Sequence, residues 1–173
     1  LKPTIAAMEK EGRTYRGCLY LGLMITADGP KVVEFNARFG DPETQVVLPL
    51  LDGDLVQIML ACTDGTLADV PIHWKDGAAV CVVLAAGGYP GLYEKGHEIH
   101  GIENAEKTGA LVFHAGTAQQ GGKVVTNGGR VLGVVGRGED IASAVQSAYA
   151  AADQISFRDA FCRRDIAHRA LNR

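Results

Sequence analysis

The chain has 173 residues, 47% of them hydrophobic and 21% charged, with a formal net charge of −3. That composition suits one domain, or two small ones, with a real core, and it excludes a disordered segment. There is no basic excess, so nucleic-acid binding driven by overall charge is excluded as well.

No apolar run is long enough to span a bilayer and no signal peptide opens the chain, so no membrane partner is expected. Cys18, Cys62, Cys81 and Cys162 are scattered without a C-x-x-C pair, which indicates neither a zinc ribbon nor a disulfide framework. They read as reduced cytosolic thiols, mostly in the core. The chain opens at Leu1 inside a predicted helix, which reads as a piece of a longer protein.

Lys2 to Glu11 is predicted as a short helix, with Pro3 in its first turn and Gly12 just past its end. Tyr15 to Thr26 reads as one strand, its Gly17 and Gly22 marking bulges or close backbone approach. Asp28-Gly29-Pro30 turns into a second strand, Lys31 to Asn36, making an antiparallel hairpin. Val32, Val33 and Phe35 predict that this second strand is buried. Thr44 to Leu51 is apolar and helical in part, limited by Pro49. Asp54 is the expected N-cap of a helix over Leu55 to Cys62, with Leu55, Ile58, Met59 and Cys62 as its apolar face. Thr63 to Gly77 is polar and turn-rich and marks a boundary between a first domain, 1–70, and a second, 75–173.

Ala78 to Ala86 is apolar at every position, the pattern of a strand covered on both faces. Gly87-Gly88-Tyr89-Pro90-Gly91 follows as a tight loop, either a plain turn or one whose amides admit a phosphate. His97 and His100 lie three apart and would face opposite sides of a strand, which argues against a metal site. Leu111 to Ala115 and Lys123 to Thr126 are short predicted strands. Asn127-Gly128-Gly129 supplies the positive-φ residues of a hairpin turn into Val131 to Val135. Asp140 is the expected N-cap of the longest helix, Ile141 to Ile155, whose buried stripe runs from Ile141 through Ala144, Val145, Ala148 and Ala152. The end is predicted as an extended segment and a docking helix. Its arginines Arg158, Arg163, Arg164, Arg169 and Arg173 read as a solvated face, with steering of an anion as the other reading.

Within the second strand of the hairpin, Glu34 and Asn36 are two apart and share a face, and Arg38 joins them if the strand continues. A carboxylate, an amide oxygen and a guanidinium on one face need a partner if buried. Mg²⁺ on a triphosphate is such a partner: the hard cation takes the oxygens, and the arginine takes phosphate or acyl-phosphate oxygens. Asp41 and Glu43, in the turn that follows, place two more carboxylates beside the site. The other reading is a strand edge with a solvated charge cluster. His114 and Arg130 are the polar groups of interest in the second half, each with an ordinary alternative: a histidine satisfied by backbone and a surface arginine.

The stretch EFNARFGDPETQ, residues 34–45, resembles the RFGDPE motif of the glycinamide ribonucleotide synthetase (phosphoribosylamine–glycine ligase) family, ATP-grasp enzymes of purine biosynthesis. The resemblance continues through AAGGYPG at 85–91, FHAGT at 113–117, TNGGRVL at 126–132 and CRRDIAHRA at 162–170. It implies an α+β fold: the end of an ATP-grasp lobe, an antiparallel hairpin plus helices, followed by a small β-rich C-terminal domain with one long helix. The activity implied joins glycine to 5-phosphoribosylamine with ATP, by way of glycyl phosphate, in the cytoplasm. Glu34 and Asn36 would then be the ligands of Mg²⁺ or Mn²⁺. Arg38 would stabilise the phosphoryl group or the acyl phosphate, and Asp41 and Glu43 would hold the glycine ammonium or orient phosphoribosylamine. The second domain would close over the site, with His114, Gly129 and Arg130 meeting the ribose phosphate. The nucleotide clamp and the amino-terminal domain of such enzymes lie outside this chain, so the chain by itself is expected to be inactive without its missing N-terminal half. Another ATP-grasp carboxylate–amine ligase and a non-catalytic excised domain are the alternatives.

Overall fold

The computed structural model describes residues 1–171 of the chain, which form two compact units. Leu1–Gly40 with Leu51–Trp74 make the first, and Asp41–Leu50 with the chain from Lys75 make the second.

The first unit opens with helix α1 (Lys2–Lys10), Pro3 in its first turn and Gly12 beyond it at φ 72°. Strands β1 (Tyr20–Thr26) and β2 (Gly29–Asn36) pair antiparallel, with a bulge between Gly22 and Leu23. The expected strand over Tyr15 to Thr26 begins only at Tyr20. Before it, the Tyr15 hydroxyl donates to the Cys18 carbonyl at 2.6 Å and Gly17 sits at φ 142°, which closes a local turn instead. The expectation that β2 is buried also fails: Val32 and Phe35 are about half exposed and Val33 is 64% exposed. Apolar side chains are buried only where a second layer covers them, and the two strands of this ribbon pair only with each other.

After the turn at Asp41 come helix α2 (Thr44–Val47), a 3₁₀ turn (Leu48–Leu50) and strand β3 (Leu51–Asp52). Helix α3 (Leu55–Asp64) is capped by Asp54, whose carboxylate accepts from the amides of Val56 (2.8 Å) and Gln57 (3.2 Å), and it ends on left-handed Gly65. Strand β4 (His73–Trp74) pairs with β3.

The second unit is built on a three-stranded antiparallel sheet. Strand β5 (Ala78–Ala85) runs first, then helix α4 (Ile102–Lys107), strand β6 (Leu111–His114), strand β7 (Thr117–Gln120), strand β8 (Lys123–Thr126), strand β9 (Arg130–Gly138), helix α5 (Ile141–Ala152) and the short helix α6 (His168–Leu171). The sheet order is β5-β9-β6. Val80 lies opposite Gly136 in the ladder, and a side chain at Gly136 would run into the α5 backbone, so this face carries the helix. Cys81 and Val135 point the other way, and α2 packs on β5 and β9. The apolar run of β5 is thus covered from both sides, although Cys81 and Val83 are only half-buried. Val82, Leu132, Val134, Ala144 and Ala148 are fully buried at the centre. None of the four free cysteines is fully buried, against the expectation that most lie in the core.

The expected hairpin through Asn127-Gly128-Gly129 does not form. Strand β8 pairs with β7 across Gly121-Gly122, both at positive φ, whereas β9 belongs to the other sheet. Gly128 and Gly129 are needed for close approach instead: a Cβ on Gly128 would lie 2.9 Å from Gly116 Cα, and one on Gly129 would enter the Tyr89 ring. In the Gly87–Gly91 loop two of the amides are committed to turn contacts, Tyr89 N on Ala86 O and Gly91 N on Gly88 O. Strand β7 and helix α4 were not foreseen.

Helix α5 opens with Asp140 and Ser143 capping each other reciprocally, and its regular turns stop at Ala152, three residues short of the expected end. The amides of Gln154 and Ile155 reach back only three residues, tightening the last turn. The Tyr149 hydroxyl then donates to Arg163 O (2.8 Å) and accepts from Ile166 N (3.1 Å), pinning the terminal segment. Arg158, Arg163 and Arg164 are exposed and paired with Glu94, Asp165 and Asp153. Arg173 lies outside the described residues. Among the described residues, no helix is long and apolar enough to cross a membrane.

Candidate functional site

In the first unit, β2 places Glu34 and Asn36 on one face, close enough for Asn36 Nδ2 to donate to Glu34 Oε1 at 2.9 Å. The bulged partner strand makes room for the acid: Gly22 lies opposite Glu34, and a Cβ there would be 3.1 Å from Glu34 Cγ. The other carboxylate oxygen and the Asn36 amide oxygen remain as two hard donors side by side. That set fits Mg²⁺ or Mn²⁺, which take oxygen ligands and leave several positions to phosphate and water. Among the described residues, no group of three or more His, Cys, Asp or Glu side chains is placed to hold a metal ion. Arg38 does not extend the face, because β2 ends at Asn36; its Nη1 donates to the Phe39 carbonyl (3.0 Å) and its other N–H groups stay available.

In the second unit, Asp41 and Arg130 come together although 89 residues separate them. Arg130 Nη2 is 3.0 Å from Asp41 Oδ2, and Arg130 Nη1 donates to the Asp41 main-chain carbonyl at 3.2 Å. Gln45, one helical turn on, donates from Nε2 to Asp41 Oδ1 at 2.7 Å. Sequence reasoning passed over Gln45, although its i, i+4 spacing from Asp41 was the available signal. Glu43 stands at the N-cap of α2, where its carbonyl accepts from Val46 and Val47. Beneath this turn, burial and, second, the Asp41 charge push the Cys81 thiol up to about 11.

The remaining two expected residues are not part of that cluster in the same way. Gly129 receives the Tyr89 ring. His114, at the end of β6, bonds through Nδ1 to Thr117 Oγ1 at 2.9 Å, which leaves Nε2 for another partner.

Comparison with known proteins now bears on what these groups serve. Residues 79–169 match the phosphoribosylglycinamide synthetase C domain, and residues 1–44 match the ATP-grasp (A) domain of the same synthetase. The chain is 53% identical to phosphoribosylamine–glycine ligase of Synechocystis over 173 residues, covering 99% of this chain and 41% of the relative. It is also 53% identical to the trifunctional purine biosynthetic protein adenosine-3 of Gallus gallus, covering 99% of this chain and 17% of that protein. The crystal structure of phosphoribosylamine–glycine ligase from Thermotoga maritima superposes with a TM-score of 0.81 at 44% identity, over 92% of this chain and 39% of that one. The chain therefore spans about two-fifths of the length of the Synechocystis and Thermotoga relatives. The α+β expectation holds: an ATP-grasp end is followed by a C domain. With the C-domain match alone covering more than half of it, the chain belongs to the phosphoribosylglycinamide synthetase family.

Proposed function

We propose that these residues are the carboxyl-terminal part of a ligase that joins glycine to 5-phosphoribosylamine at the expense of ATP. The observation that carries this reading is the Glu34–Asn36 pair on one face of β2, in a chain of this family. A glycine carboxylate oxygen attacks the γ-phosphorus and ADP departs, leaving glycyl phosphate. The phosphoribosylamine nitrogen then attacks the acyl carbon, phosphate leaves, and the nitrogen gives up a proton.

In this reading Glu34 and Asn36 hold the divalent cation, which supplies neutralisation of phosphate charge while the phosphoryl group moves. Arg38, with all but one N–H uncommitted, spreads positive charge over the phosphoryl or acyl-phosphate oxygens. Asp41 and Glu43 hold the amine of a substrate by charge, and His114 Nε2 is offered to the ribose phosphate. Four free cysteines suit a reducing compartment and hence a cytoplasmic enzyme.

The test is ADP release by the full-length polypeptide that carries these residues, measured with glycine, phosphoribosylamine or both, alongside the Glu34→Gln variant. Release that needs both substrates, and that falls at least a hundredfold in a folded Glu34→Gln protein, is expected; the loss is on the scale of removing a preorganised charge group. Release indifferent to glycine, or untouched by the substitution, points to another ATP-grasp ligase or to a non-catalytic module.

A further inference from the structure

Three polar contacts converge on Asp41, and they come from just two side chains. One edge of the Arg130 guanidinium is committed to a single residue, to both its carboxylate and its main-chain carbonyl. Gln45 takes the second carboxylate oxygen. That orientation turns Gln45 Oε1 inward, where it is buried with no hydrogen-bond partner. An orphaned buried acceptor is unfavourable, so the amide is held this way by its bond to Asp41 rather than by its own surroundings. Each Asp41 oxygen thus has one donor and keeps a lone pair. The side chain remains 46% exposed, held in direction yet open on one side.

We propose that Arg130 and Gln45 are positioning residues that aim the Asp41 carboxylate at a substrate ammonium, and that Arg130 is not a ligand of the substrate phosphate. This rests on the ligase reading, and it revises the expectation from sequence that Arg130 meets the ribose phosphate. Swinging the guanidinium edge that holds Asp41 onto a phosphate would give up both contacts that orient the carboxylate, so in this arrangement that edge serves Asp41.

The experiment uses the full-length enzyme with Arg130→Met, Gln45→Met and Asp41→Asn, singly and combined. Expected is a rise of about fivefold in KM for glycine in Arg130→Met and in Gln45→Met, the scale of a half-exposed charged pair, with kcat changed far less. Neither substitution adds to Asp41→Asn. Ribose 5-phosphate, used as a probe of the phosphate site in calorimetry, binds Arg130→Met as tightly as the parent. Thermal unfolding of Asp41→Asn, Arg130→Met and the double variant is non-additive. Loss of ribose 5-phosphate binding in Arg130→Met, or additive unfolding effects, overturns the proposal. Should Arg130→Met fail to fold, Arg130→Lys asks the same question, since a lysine keeps the charge for a phosphate but cannot span the carboxylate and the carbonyl together. The unfolding arm needs no turnover, so a protein without glycine-dependent ADP release would sink the ligase reading while still deciding whether Arg130 serves Asp41.

Discussion

Gly136→Ala tests the packing that holds the second unit together. A Cβ at residue 136 would lie 2.5 Å from Ala144 O and 2.7 Å from Ala148 Cα, with Ala148 N closer still. Ordinary contact begins near 3.4 Å and the Ala148 amide nitrogen would lie at 2.1 Å, so helix α5 would have to retreat from β9 by about 1.3 Å. All the clashing atoms are backbone, and no rotamer change relieves them. The retreat would loosen Ala144, Ala148 and Ala151, each fully buried, from Val82, Leu132 and Val134. Overpacking of this kind costs about 3 kcal/mol, the upper part of its usual range, because nothing flexible can yield. For a unit of roughly a hundred residues that corresponds to a fall of about 14 °C in melting temperature. Far-ultraviolet circular dichroism on heating reads it. A sharper check is Ala144→Gly combined with Gly136→Ala: trimming a helix methyl cannot remove a clash with helix backbone, so no rescue is expected. A Gly136→Ala protein that melts with the parent, or one restored by Ala144→Gly, refutes this packing argument.

Two further outcomes follow from single side chains. The Cys81 thiol, pushed up to about 11 by burial and then by Asp41, should react slowly with iodoacetamide at pH 8, and Asp41→Asn should bring its titration midpoint down. A parent midpoint at or below the ordinary 9.0 would contradict the structure. Because this pKa is raised on folding, the thiol's stabilising contribution is complete below about pH 9 and disappears as pH climbs through about 11. Asp54→Ala removes both amide contacts at the start of α3 and should lower stability by about 1 kcal/mol in urea unfolding, with Asp54→Ser close to the parent; equal losses in the two variants would show that the cap is not the cause.

Much of the local structure was legible in the residues. Asp54, Asp140, Pro3 and Gly12 announced helix ends because capping is a contest among neighbours in sequence. The Glu34–Asn36 face followed from the two-residue period of a strand. Strand β2, in contrast, has the apolar residues of a buried element and is exposed, since burial depends on a covering layer that strand composition does not encode. The Asn-Gly-Gly stretch carries a hairpin signature, yet its glycines are required where the Gly116 backbone and the Tyr89 ring press against them. Helix α4 is too short at six residues for its period to stand out.

The sequence by itself determined the caps, the period of each long element and the motif that marks the family, because these rest on interactions within a few residues of one another. Tertiary structure alone decided that β9 lies between β5 and β6 and that α2 covers the sheet's second face. It also decided that Arg130 reaches back across 89 residues to Asp41. Those pairings are chosen by which surfaces meet once the chain is compact, and spacing along the sequence carries no record of that choice.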